Sequence, residues 1–321
     1  MRLFLLLMLS PQRLLMLVRW FGRTPGFESL LTCLWHRHPN TVLSMATDFY
    51  EALFTADVIT RATLDACKVV WSHTRFRVTV DMSLALMTPF SFDDLQVVVG
   101  GLDPSSCLGD DGLTREFFLE HWDVLHVHLL RGCQSIFTSE VMPESLCSGL
   151  ISLTSKGGEA TLLRHWRPIT LLSSVYKILA KMISARLRPY LLDLIHSSRT
   201  SFVQDICILN HIFKFHHAMD WASSSGQPLA LLLLDFEKAY DKLDWDFLEG
   251  TLLRMGFPDA WICGVAALYR LAWCAITIAG CTSRSFQLFR LVRQGWPLAP
   301  YLFLFVAEAM SDFIRAQTPR L

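Results

Sequence analysis

The stretch LLLLDFEKAYD, from Leu231 to Asp241, constrains this chain more than any other. Four successive leucines read as a strand buried on both faces, which requires packed layers above and below it. The run ends at Asp235, where a sheet edge meets a cleft. A carboxylate is costly to bury there unless a positive group meets it. A divalent cation is one such partner, because hard oxygen donors suit Mg²⁺. Capping of the next helix is the other reading, and the strand by itself leaves both open. Asp241, six residues on, is read as ordering the turn that follows. At 321 residues, about half of them apolar, the chain is long enough for one large domain or two ordinary ones.

Around this strand the pattern is α+β, with helices before and between a few strands. SMATDFYEALFT, 44–55, sets Phe49, Leu53 and Phe54 at helical spacing. Ser91 followed by Asp93 and Asp94 opens a second helix. LGDDGLTREFFLEHWDVLHVHLL gives a turn at Gly109–Gly112 and then a helix with Phe117, Phe118, Trp122 and Leu125 on its apolar side. SGLISLTSKGG, 148–158, alternates like a strand. Pro168 opens an extended piece and Ser174 is positioned to cap a helix. That helix shows Lys177, Lys181 and Arg188 on one face and Ile178, Leu179, Met182 and Ile183 on the other. Helices follow over about 206–222, from about Asp244 to Gly256, and over about 259–271. WCAITIAG and RSFQLFRLV read as a hairpin, and a long helix begins near Pro300. The organisation expected is a poorly patterned segment over 1–43, a helical extension over 44–145, and a last domain over 146–321.

Charge excludes little. Lys plus Arg and Asp plus Glu balance at 29 each, which argues against a strongly basic nucleic-acid binder. Locally, Lys156 to Lys214 holds nine bases against three acids, a net +6. Such a stripe can follow phosphates, or be a solvated helix face. The nine cysteines lack C-x-x-C and zinc spacings and read as reduced, buried thiols. The eleven histidines also lack metal spacing. The apolar run Leu3–Leu9 has the shape of a signal-peptide core, but without a small-x-small cleavage site, and it is too short to span a bilayer. No G-x-S-x-G, Walker-type loop or G-x-G-x-x-G supports a hydrolase, kinase or dinucleotide enzyme.

DFEKAYD, 235–241, is followed some 58 residues later by RQGWPLAP, and the pair decides the reading. With DDGLTREFF (110–118), WRPITLL (166–172), LLRMGFP (252–258) and VRQGWPLAPYLF (292–303), it resembles the reverse transcriptases of non-LTR, LINE-type retrotransposons, especially those of plants. The resemblance covers about residues 44–321 and implies right-hand polymerase fingers and a partial palm, with helices on a small, mostly antiparallel sheet. It implies that Asp235, with the main-chain carbonyl of Phe236, holds Mg²⁺ in a two-ion clamp on the attacking 3′-hydroxyl and the leaving pyrophosphate. Tyr240 matches the aromatic that stacks under the sugar and rejects a ribose 2′-OH, its alternative being an ordinary core aromatic. Gln294, Gly295 and Pro297 match the loop that supports the templating base pair. Arg167 matches a basic residue facing the triphosphate or template, its alternative being a salt bridge. The implied partners are an RNA template, a DNA primer and deoxynucleoside triphosphates, with no small-molecule cofactor and no membrane.

Four departures qualify the resemblance. The family's aromatic-Ala-Asp-Asp motif does not occur between Gln294 and Leu321, and Asp93-Asp94 and Asp110-Asp111 stand in other contexts. Ile206 of RTSFVQDI occupies the place of a triphosphate-contacting arginine. Trp296 replaces a small residue. No thumb or endonuclease region is recognised. The expectation is therefore a truncated polymerase domain, inactive as it stands. The alternatives are a non-catalytic nucleic-acid-binding remnant and a pseudogene product. A working element's enzyme acts at nuclear DNA, yet no basic localisation cluster is visible.

Overall fold

The computed structural model describes residues 2–4, 39–104, 108–156, 162–196, 209–226 and 233–317. Most of the apolar N-terminal run, the RTSFVQDI motif with Ile206, and Leu231–Leu232 lie outside the described residues.

Capping side chains start most of the early helices. After β1 (Arg2–Phe4) come α1 (Pro39–Phe54), α2 (Arg61–Ser72), α3 (Val80–Met87) and α4 (Phe92–Gly100). Thr60 and Thr79 cap α2 and α3, and Ser91 forms a full capping box with Asp94 at α4. The helix expected after Gly112 is two, α5 (Arg115–Glu120) and α6 (Trp122–Ser139), broken at His121. The short α7 (Glu144–Cys147) leads into β2 (Ser148–Ser155). Then follow β3 (Trp166–Leu172), α8 (Ser174–Leu187), α9 (Leu191–Leu194), α10 (Leu209–Ser225) and β4 (Leu233–Asp235). The chain goes on through α11 (Trp245–Arg254) and α12 (Asp259–Ala266) to β5 (Trp273–Ile278), β6 (Cys281–Thr282), β7 (Phe286–Gln287) and α13 (Ala299–Gln317).

The result is the expected α+β architecture with a small, mostly antiparallel sheet. Its strands run β3-β2-β5-β6, with β7 on the other end of β5. β2 and β3 are antiparallel, with Gly149 opposite Leu172, whereas β2 and β5 are parallel, with Ile151 opposite Ile276. The expected hairpin is the antiparallel pairing of β5 with β7, Trp273 opposite Gln287; between them β5 also pairs with the short β6 through a turn at Ala279 and Gly280, both at positive φ (48° and 82°). That pair of angles is the turn whose twist matches the flanking strands. Among the described residues β4 pairs only with β1, Asp235 standing opposite Arg2.

Two apolar clusters hold the layers. The larger joins α8, α12 and α13 and contains the fully buried Ile178, Leu179, Trp261, Tyr269 and Phe305. Burying each large apolar side chain contributes about 2 kcal/mol. In the smaller, Val42, Ala46, Tyr50 and Phe54 of α1 cover Ile151, Cys274 and Ile276 of the sheet. Of the described cysteines, Cys133, Cys147 and Cys274 are buried free thiols, while Cys281 is exposed. Among the described residues no helix is long and apolar enough to cross a membrane.

One expectation is displaced by a residue. Ser173, not Ser174, caps α8, its hydroxyl accepting from the Tyr176 amide at 3.2 Å. Ser174 is taken up elsewhere. Its amide donates to Asp111 at 2.6 Å and its hydroxyl to the Leu113 carbonyl at 2.6 Å. The Asp110-Asp111 turn thus ties residues 109–113 to the start of α8. Gly109 permits this, because a Cβ there would overlap the Leu172 carbonyl and the Ser173 amide. Backbone cannot yield as a side-chain tip can, so Gly109→Ala is expected to lower stability by about 2 kcal/mol. A urea melt with an unchanged midpoint would contradict this packing.

Candidate functional site

The site is organised by a strip of backbone, residues 291–296, laid between β3 and the segment that follows β4. On one edge the Leu291 amide donates to the Leu243 carbonyl at 2.7 Å, and the Val292 amide to the Tyr240 carbonyl at 3.1 Å. On the other edge the Thr170 amide of β3 donates to the Gln294 carbonyl at 2.7 Å, and Ile169 and Gln294 form a parallel bridge. The strip then turns, the Trp296 amide donating to the Arg293 carbonyl. Gly295 sits in the turn at φ 105°, where a Cβ would stand 2.8 Å from the Thr170 carbonyl oxygen. Both the angle and the contact demand glycine.

The side chains of the strip lock it further. Arg293 is buried, at 1% exposure, and Nη2 donates to the Cys147 carbonyl at 2.6 Å. Its guanidinium lies 5.5 Å from the Tyr176 ring, and Nε and Nη1 have no partner among the described residues. Trp296, in the place of the small residue, fills core space between Tyr176 and Tyr269, at ring separations of 6.1 and 6.2 Å. The Gln294 amide donates through Nε2 to Oδ1 of Asp241 at 2.7 Å. Asp241 is itself buried, with Lys238 3.8 Å from its other oxygen. Burial pushes the Asp241 carboxyl above its ordinary range, and Lys238 and the Gln294 amide pull it back.

These bonds bring part of the expected set together. Phe236 and Tyr240 both pack on Phe303 of α13, at 5.5 and 5.3 Å. Tyr240 is half-buried, and burial raises its hydroxyl to about 12, so it stays protonated at neutral pH. Arg167 is exposed on β3 and shares a strand face with Ile169, which bridges Gln294. Two residues along a strand span about 7 Å. The backbone of Asp235 ends β4, but its side chain lies outside the described residues. Among the described residues no group of three or more His, Cys, Asp or Glu side chains is placed to hold a metal ion.

Beside the turn lies a cavity of about 110 Å³, lined by Thr114, Arg115, Ser174, Lys177, Lys181, Gly295 and Pro297, with Asp103 also in its wall. Three basic side chains therefore face one acid around a glycine backbone. The expected basic face of α8 supplies two of the three bases. Arg188 falls past the helix end, in the 3₁₀ turn Arg188–Tyr190.

Sequence reading missed two participants. Asp241 does more than order its own turn, because it holds Gln294. Lys238 was not singled out, although opposite charges three residues apart directly after a buried strand were a usable signal.

The reverse transcriptase (RNA-dependent DNA polymerase) family matches residues 155–319. The chain is 32% identical over 296 residues to the transposon TX1 uncharacterized 149 kDa protein of Xenopus laevis, covering 90% of this chain and 22% of that protein. It is 23% identical over 226 residues to the retrovirus-related Pol polyprotein from type-1 retrotransposable element R2 of Popillia japonica, covering 69% of this chain and 30% of that protein. The chain thus spans less than a third of the length of these relatives.

Gly295→Ala is expected to cost about 2 kcal/mol, since it adds left-handed strain to a contact with backbone. A thermal melt within a degree of the parent would show that the turn adapts.

Proposed function

Because this chain belongs to the reverse transcriptase (RNA-dependent DNA polymerase) family, we propose that it holds template, primer and incoming nucleotide in a LINE-type retroelement polymerase. In this reading residues 146–321 form its fingers and a partial palm, and 44–145 a helical extension. The observation that carries the reading is the strip 291–296, which joins RQG to the segment following Asp235 through the Val292–Tyr240 and Gln294–Asp241 hydrogen bonds. These bonds support reading the two motifs as parts of one site.

Roles follow from position. Gln294 and Gly295 support the templating base pair, Gly295 exposing backbone where a side chain would intrude. Tyr240 offers its ring beneath the sugar, braced by Phe303. Arg167 faces the triphosphate or the template. Lys177, Lys181 and Arg115 neutralise template phosphates at the cavity beside the turn. Asp235 and the Phe236 carbonyl are hard oxygen donors of the kind that suits Mg²⁺, which when bound stabilises the attacking and leaving oxygens of the phosphoryl transfer. One carboxylate and one carbonyl fall short of a two-ion clamp, so chemistry requires further carboxylates. Binding of the strands does not.

Two measurements test this. Affinity of the purified chain for an RNA template with a recessed DNA primer is expected to fall about 10- to 50-fold between 50 and 200 mM salt, as for three or so phosphate contacts. Lys177→Gln with Lys181→Gln should flatten that slope by between one and two. Salt-insensitive binding, or none, would defeat the proposal. Primer extension with Mg²⁺ and deoxynucleotides then separates polymerase from binding module. Where carboxylates complete the site, Asp235→Ala is expected to abolish extension, and extension surviving in that variant would remove Asp235 from the metal-binding role. Strand binding without extension favours a non-catalytic binding protein.

A further inference from the structure

Gln294 carries a side-chain amide whose two ends have opposite hydrogen-bonding character, and something must decide which end faces a ligand. In this fold the decision falls to two residues beyond β4. The Asp241 side chain is only 2% exposed, and its two oxygens are divided between two partners. Oδ1 accepts from Nε2 of Gln294 at 2.7 Å, and Oδ2 faces Nζ of Lys238 at 3.8 Å. The Lys238 side chain is 8% exposed, and its Nζ makes no hydrogen bond among the described residues. Asp241 is thus its near counter-charge, and the Phe49 ring lies 5.9 Å from Nζ. Lys238 also holds a left-handed backbone, φ 54°, at a cost of about 1 kcal/mol for a residue other than glycine. A strained, buried lysine beside a buried aspartate is an expensive arrangement unless the pair has a task.

We propose that Asp241 and Lys238 are a positioning pair that fixes the orientation of the Gln294 amide and thereby sets nucleotide recognition. A carboxylate can only accept hydrogen bonds. Paired with Lys238, Asp241 takes the amide nitrogen of Gln294 and leaves Oε1 as the end available to a ligand. The turn then presents an acceptor, suited to an O–H or N–H donor of a nucleotide or base. An asparagine at 241 can both donate and accept, so it would let the amide take either orientation. This inference rests on the function proposed above and names a further determinant of the same site.

The test uses the full chain and an RNA–DNA hybrid whose primer lacks its 3′-hydroxyl, so that binding is read without chemistry. Hybrid affinity is measured by fluorescence anisotropy with and without the templated deoxynucleotide. The matched nucleotide is expected to tighten wild-type binding. Asp241→Asn should lose about tenfold of that tightening, the scale of one oriented hydrogen bond, while affinity without nucleotide stays within about twofold. Asp241→Asn also strands the buried lysine and should lower the melting temperature. Adding Lys238→Met removes the stranded charge and should restore the melting temperature but not the nucleotide response. Recovery of both would make the pair purely structural and overturn the proposal, as would an undiminished response in Asp241→Asn. A wild type that binds the hybrid but ignores the nucleotide overturns this inference and leaves strand binding intact. Failure to bind the hybrid removes the functional reading and the inference with it.

Discussion

A main-chain hydrogen bond, from the Thr170 amide to the Gln294 carbonyl, docks the strip 291–296 on the sheet. It draws a non-regular strip onto the edge of β3, where unpaired strand groups would otherwise need water. With the strip there, its opposite edge meets the carbonyls of Tyr240 and Leu243, and α13 begins just beyond it, at Ala299. The approach is close enough that Gly295 has no alternative. The sheet therefore builds the site by lending it an edge, and contributes few of its functional side chains.

The polar interior is arranged with the same economy. Arg293, Asp241 and Lys238 are all nearly or wholly buried, in contrast to solvated pairs such as Arg284 with Glu51. Buried ionic groups are weak contributors to stability compared with apolar side chains of like volume. Here Arg293 ties the strip to Cys147 and Tyr176, while Asp241 and Lys238 hold the Gln294 side chain. Stability resides in the leucine, tryptophan and phenylalanine packing, and geometry resides in the charges.

Much of the fold was legible because its signals are local. Ser91 with Asp94, and Asp244 before Trp245, announce helix starts by chemistry acting over three residues, and both caps are made. The Ser173–Ser174 pair shows the limit of such reading. Either residue can cap, and the choice turned on Asp111, 63 residues away, taking the Ser174 amide. Asp241 was read as a local turn former for the same reason, since its partner Gln294 lies 53 residues on. The parallel pairing of β2 with β5 left no trace in either strand, because alternation says which face is buried and nothing about the neighbour. The family motifs pointed to Gln294 and Gly295 as a loop, but not to β3 as the surface it lies on.

The order in which the layers meet has a consequence for how the chain comes to be folded. Val42, Ala46 and Tyr50 of α1 are covered by β5 and β7, and the Arg75 amide is bound by Asp312, 237 residues later. During synthesis these helices emerge with their apolar faces bare and wait for β5 and β7, which come far later in the sequence. Such long-range closure slows folding and exposes sticky surface meanwhile. Until β5 and β7 exist, α1 presents bare apolar surface, a hazard to which equilibrium stability is blind and which only the speed of long-range closure limits.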